Sequence, residues 1–293
     1  MSPRGRRSPR SSAAAHPVDG DPLFRDDVAD VEVVEDRTKG SLADQGFLKV
    51  RRLVVRTKFR DGTTSAPYPC DILSRVRTDA VALLLYELTG DATPRGGRKA
   101  RRPARAAKRG LRVLLKTGVR PPVFLRRHLP LTQPDARPYG RLVEMVAGML
   151  EPDDTGRHGV ARRAAAEALE EAGVKVPLAA VEALGAESFP SPGVTDEKVH
   201  FRAARADLDA RRAPEGDGSA MEHGTQVLVL PVEEAIAACR RGDVPDMKTE
   251  MALLRLCDLV GYVPSLGCFV DDLPAKVRAR FRPLGLPGDA GPR

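Results

Sequence analysis

The sequence predicts an α+β fold, with a small antiparallel sheet preceding a larger sheet on which helices pack. Three observations carry this. Two β-like runs at 47–60 and 67–76 flank Asp61-Gly62, a dipeptide that signals a hairpin. Between Gly148 and Val174 a glycine-containing turn feeds an alanine-rich helix. Its stripe of Val160, Ala161, Ala164, Ala165, Ala168 and Leu169 is small and apolar enough to lie on a sheet. Near the C-terminus, 247–260 reads as a closing helix, with Met251, Leu254 and Cys257 as its buried stripe and Arg255 and Asp258 left for solvent.

Composition narrows the class. A chain of 293 residues can bury a sizeable core. Tryptophan is absent and aromatic residues make up 4%, so alanine, leucine and valine must build that core. No apolar run reaches the roughly 18 residues of a membrane span, and the N-terminus lacks the apolar segment of a signal peptide. Cys70, Cys239, Cys257 and Cys268 form no CxxC pair and read as reduced thiols of a cytoplasmic protein. The net charge of +8 comes from two acid-free runs, 1–15 and 93–110, which hold four and eight basic residues; the remaining body is net negative. Such runs can bind phosphate backbones, but neither has aromatic side chains for base stacking, so nucleic acid is not the favoured partner.

In chain order, 1–22 is rich in Ser, Pro, Arg and Ala and reads as a disordered basic tail. An N-terminal β subdomain follows at 23–77, containing the run VEVVEDRT (31–38) and the two runs of the hairpin. The main domain spans 78–270. It opens with an apolar strand at 79–88, resumes after the basic insert 93–110 with a strand at 111–116, and passes through a Pro-punctuated loop at 128–140. Beyond the alanine-rich helix come strand character at 176–189, a strand after SPGVTDE, a polar loop at 209–220 and a strand at 227–230. Pro231 begins a helix that Gly242 ends. Residues 271–293 form a Pro/Gly-rich tail.

The chemistry concentrates on the alanine-rich helix. Glu167 and Glu171 stand four apart and share a face, with Glu170 beside them. Like charges at that spacing repel, and a shared hard cation reverses the cost. Carboxylate oxygens suit Mg²⁺, which keeps several waters and often takes phosphate oxygens as further ligands.

These residues carry a resemblance. EALEEAGV (167–174 with its preceding turn) resembles the end of the Nudix box, G-x5-E-x7-R-E-U-x-E-E-x-G-U with U apolar: Glu167, Glu170, Glu171, Gly173 and Val174 match. LVEMVAGML (142–150), VLLKTGVRPP (113–122), SPGVTDEKVH (191–200) and the stretch from Glu222 through GTQVLVLPVEEA to KTEMALLRL resemble flanking segments of the ADP-ribose and ADP-sugar pyrophosphatase branch, in the same order. The resemblance implies an α/β/α Nudix sandwich with a mixed sheet, preceded by the small antiparallel sheet, which helps to form a homodimer. It implies Mg²⁺-dependent hydrolysis (with Mn²⁺ as an alternative ion) of a nucleoside diphosphate sugar such as ADP-ribose. Glu167, Glu171 and the Ala147 carbonyl would ligate the metal, and Glu170 would support it directly or through water. Arg120 would hold the diphosphate, Glu144 and Glu197 would contact substrate, and Glu222 is the candidate catalytic base, with His223 and His158 as alternatives.

The chain departs from the pattern at three points. The box arginine falls on Ala166, the early box glutamate falls on His158, and Gly148 lies four residues further from Glu167 than the pattern allows, so EPDDTGRHG (151–159) carries an insertion. Arg163, in one helical row with Glu167 and Glu171, is a candidate for part of the missing arginine's role, with Arg162 as its control. The alternative reading is a Nudix-like binding module without turnover, tied to nucleic acid by the basic insert.

Overall fold

A computed structural model describes residue 23 and residues 42–90, 109–135, 137–214 and 223–281. The expected basic tail, the run 31–38, most of the basic insert, Glu222 and the end of the C-terminal tail lie outside these residues.

β1 (Leu48–Val55) and β2 (Tyr68–Arg75) pair antiparallel across the Asp61-Gly62 turn as a separate two-stranded sheet. The larger sheet is built around β3 (Ala80–Thr89), whose residues 80–86 are all buried. A strand covered on both faces has no polar side, which is why this one reads as an unbroken apolar run. The C-terminal half of β3 pairs antiparallel with β4 (Gly110–Gly118), from Leu85↔Leu114 to Thr89↔Gly110, so the basic insert leaves and returns at neighbouring backbone positions.

α1 (Pro121–Phe124) is a single turn beginning at the two prolines. The strand leading into the alanine-rich helix is divided. β5 (Leu142–Glu144) pairs with the end of β4, and β6 (Val146–Met149) pairs with the start of β3. The division falls at Met145, whose amide donates to Thr249 Oγ1 at 2.9 Å.

α2 (Gly159–Ala172) ends at Gly173, which adopts a left-handed conformation (φ 66°). A Cβ there would come within 2.0 Å of the Arg212 carbonyl oxygen, so glycine is required twice over. β7 (Val181–Ala183) lies antiparallel to β8 (Val199–Arg205), and β8 lies parallel to β3. β9 (Val227–Pro231) pairs with β4, and α3 (Val232–Arg241) and α4 (Met247–Val260) follow. The short pair β10 (Tyr262–Val263) and β11 (Cys268–Phe269) and one turn, α5 (Ala275–Arg278), are the last of the described elements.

Strand alternation divides the core into two layers. Val81, Leu83, Leu85, Leu114 and Val146 face α2 and meet Ala164, Ala168 and Ala172. Ala82, Leu84, Tyr86, Val113, Leu115 and Met145 face the other way, toward α3 and α4. The sheet is therefore mixed and sandwiched between helices. Among the described residues, no helix is long and apolar enough to cross a membrane.

Two expected stripes need correction. On α2 the buried positions are Gly159, Ala164, Glu167, Ala168, Glu171 and Ala172, while Leu169 is exposed. The glutamates thus lie on the face that packs against the sheet, because alanines leave room beneath for their side chains. On α4 the buried stripe is Thr249, Ala252, Leu253, Leu256 and Cys257, an i, i+3, i+4 pattern that turns Leu254 outward. Arg255 docks on the protein instead of pointing to solvent. It donates to the carbonyl oxygens of Leu184 and Ala186 and stacks 4.8 Å from the Phe201 ring.

Candidate active site

Residue parity places the site. On the strands leading into α2, Val146 faces that helix, so Glu144 and Gly148 face it too. On β4, Leu114 faces α2, so Lys116 does as well.

The carboxylates of Glu167 and Glu171 converge on the Ala147-Gly148 backbone. Glu171 Oε2 accepts the Ala147 amide at 3.0 Å. A Cβ on Gly148 would lie 1.7 Å from Glu167 Oε1, so the space left by the missing side chain is filled by that carboxylate. Both glutamates are 8% exposed. The amide and carbonyl of one strand residue point to the same side. The Ala147 amide turns toward Glu171, and its carbonyl leaves the strand on the same edge.

Each buried carboxylate of the site has a basic neighbour. Lys116, 2% exposed, donates to Glu171 Oε1 at 2.5 Å. Arg120 grips Glu144 Oε1 through Nε at 2.9 Å and Nη2 at 2.5 Å. Arg163 Nη1 lies 3.6 Å from Glu167 Oε1, one turn away on α2, while its Nε donates to Asp154 Oδ2 at 3.0 Å. Burial pulls the Arg120 pKa down, but Glu144, Glu171 and Asp246 outweigh it and hold the guanidinium above its ordinary value. Arg163 follows the same logic, with Asp154 and Glu167 overcoming its burial.

The inserted loop is tied to the helix it precedes. Asp154 accepts the Glu151 amide at 2.9 Å as well as Arg163. Arg162, its neighbour on α2, donates to the carbonyls of Asp153 and Thr155. It staples the loop and is a control only for the glutamate contact.

Glu170 is half-buried on the flank of α2. Glu197 sits apart, accepting Arg75 Nη2 of β2 at 2.5 Å. The SPGVTDE segment that holds it is bound to β2 by the Leu73 amide, which donates to Val194 O at 2.8 Å. Glu222 lies outside the described residues, but the chain just after it does not: Gln226 accepts the Thr117 amide and donates its own amide to Thr117 Oγ1, each at 2.9 Å. That loop therefore ends one residue from Lys116. His223 and His158 are exposed.

Sequence reasoning missed Lys116. The signal was its parity with Leu114 in an otherwise apolar strand, which aims an ammonium at the helix bearing the glutamates.

Among the described residues, no three His, Cys, Asp or Glu side chains gather into one metal-holding group. Two carboxylates and a carbonyl nevertheless fit Mg²⁺, which takes few protein ligands and leaves the rest of its octahedron to water and phosphate. The donors are hard oxygens, and Lys116 already places one cation against them.

No family model matches the chain. It is 35% identical over 176 residues to a GDP-mannose pyrophosphatase of Cronobacter sakazakii, which covers 59% of this chain and 87% of that protein. It is 31% identical over 188 residues to a GDP-mannose pyrophosphatase of Pectobacterium atrosepticum (63% and 92%), and 31% identical over 172 residues to one of Escherichia coli K12 (58% and 85%).

Proposed function

This chain belongs to the Nudix hydrolase family, and from that premise we propose that it hydrolyses the diphosphate linkage of a nucleoside diphosphate sugar in a Mg²⁺-dependent reaction. Water adds across one P–O bond of the bridge, giving a nucleoside monophosphate and a sugar phosphate. The observation that carries this reading is the convergence of Glu167 and Glu171 on the Ala147-Gly148 backbone. GDP-mannose, the substrate in the relatives' names, and ADP-ribose are the two sugars to test first.

A diphosphate resists attack because its oxygens repel nucleophiles. A bound Mg²⁺ would neutralise that charge and acidify a water. The chain's own residues supply the remainder. Glu167, Glu171 and the Ala147 carbonyl would hold the ion, with Mn²⁺ as a substitute. Glu170, on the flank of the same helix, would act through a water. Arg120 spends two donors on Glu144 and has three N–H groups left for the diphosphate. Glu144, 5% exposed behind Arg120, would act by fixing the plane of that guanidinium. Glu222 is proposed as the base, because the loop following it is pinned beside Lys116. Glu197, through its bond to Arg75, would tie β2 to the substrate side of the core.

We also propose a homodimer formed through the small sheet. Supporting it, Phe47, Leu48, Leu53, Val54 and Tyr68 are exposed on or beside β1 and β2.

The deciding assay offers GDP-mannose, ADP-ribose and other nucleoside diphosphate sugars, with Mg²⁺ or after chelation, and follows release of phosphatase-sensitive products. Turnover that requires the metal is expected. If no such substrate is cleaved with Mg²⁺ or Mn²⁺, the hydrolase reading fails and the binding-module reading stands.

A further inference from the structure

We propose that Lys116 is a resident cation of the carboxylate site, which weakens its hold on a free divalent ion and makes strong metal binding depend on the arriving diphosphate. This rests on the reading of Glu167 and Glu171 as metal ligands. Lys116 is 2% exposed, and its strand position, facing α2 beside Leu114, holds the ammonium against the carboxylates. Its Nζ lies 2.5 Å from Glu171 Oε1, on the carboxylate whose other oxygen takes the Ala147 amide. Any ion held by Glu171 and the Ala147 carbonyl therefore binds within a few ångströms of a fixed positive charge.

The surroundings sharpen the effect. Lys116 pairs across the sheet with Glu144, but Glu144 is already gripped by Arg120. Arg120 also feels Glu171 and Asp246. Arg163 stands against Glu167. Lys116 and Arg120 thus offset Glu171 and Glu144, while Arg163 is shared between Glu167 and Asp154, so Glu171 in particular has little negative charge to spare for a lone M²⁺. Adding the ion builds up positive charge, and the substrate's diphosphate removes it. Around carboxylates that are 8% exposed and a lysine that is 2% exposed, charges are screened less than on the open surface, which strengthens the coupling between ion and anion. The expected order is cooperative: ion and diphosphate each raise the other's affinity.

The experiment titrates Mn²⁺ alone into metal-free protein, following free Mn²⁺ by electron paramagnetic resonance. It then repeats the titration with α,β-methylene-ADP, whose bridge is not cleaved. Lys116→Met removes the charge while keeping the volume, and Lys116→Gln keeps a donor toward Glu171. Circular dichroism and thermal melts establish that each variant is folded. The expected result is Mn²⁺ binding at least about tenfold tighter in either variant without nucleotide, and a smaller gain when the nucleotide is added. A merely structural role would loosen the site and weaken Mn²⁺ binding. Wild-type protein that binds Mn²⁺, with folded variants that bind it equally or more weakly, overturns the proposal for Lys116 alone. Wild-type protein that binds no Mn²⁺ at millimolar concentration, with or without the nucleotide, overturns the metal-site reading itself.

Discussion

At the scale of single residues, Gly148 decides where a carboxylate can sit. Its missing Cβ leaves the volume in which Glu167 Oε1 lies. Gly148→Ala must push that carboxylate aside, and the obstacle is the end of a flexible side chain, so the fold should survive with a small change in melting temperature. Displacement of a reacting group by about 1 Å can cost on the order of 10²-fold in rate. We therefore expect kcat on a nucleoside diphosphate sugar to fall by roughly that factor with the circular dichroism spectrum intact. A variant with wild-type kcat would show that Glu167 need not occupy that volume.

At the scale of elements, α2 and its inserted loop act as one unit. Arg163 links Asp154 of the loop to Glu167 of the helix, and Arg162 holds the loop's carbonyls. Arg163→Ala is expected to lower kcat about tenfold or more at saturating Mg²⁺, since it removes the cation that stands 3.6 Å from Glu167 and ties it to Asp154. Arg162→Ala should lower the melting temperature slightly and leave kcat within about twofold, because each hydrogen bond to a carbonyl contributes roughly 1 kcal/mol. Equal effects on kcat would refute a separate role for Arg163. The hairpin of β3 and β4 offers a second test. Thr89 and Gly110 are already paired, so excising 91–108 in favour of a short turn closes a gap the sheet has closed. Hydrolysis should be nearly unchanged; a large loss in soluble, folded protein would contradict this.

At the scale of the whole molecule, the order of strands and helices was legible from apolar runs, turn residues and glycine stops, because those signals are local. The row of Glu167 and Glu171 was equally legible, being set by helical spacing alone. What escaped was long-range. Leu254 and Leu169 look like core residues until the position of the sheet is known, and Lys116 looks like a strand-end cation until α2 is laid across it. The proposed homodimer belongs to this scale too. Val54, 76% exposed on β1, is expected to lie in the contact, so light scattering should give twice the chain mass for wild type and the chain mass for Val54→Arg. A monomeric wild type would rule out the dimer at the concentration measured.

The pairing of β3 with three other strands ranks the ways in which the molecule can open. An amide in Val81–Leu85 exchanges its hydrogen only if the bonds to β4, β6 or β8 break, under a cover of side chains that are 0% exposed. Among the described residues the β1–β2 pair has no third strand and little cover, and two strands alone are barely stable in water. Deuterium should therefore enter β1 and β2 by local opening long before it enters β3. Since the SPGVTDE segment hangs from β2 through Leu73, the substrate side of the site would loosen with that pair while the carboxylate floor on β6 and α2 stays shut. Equal exchange rates in β2 and β3 would show instead that the two sheets open together.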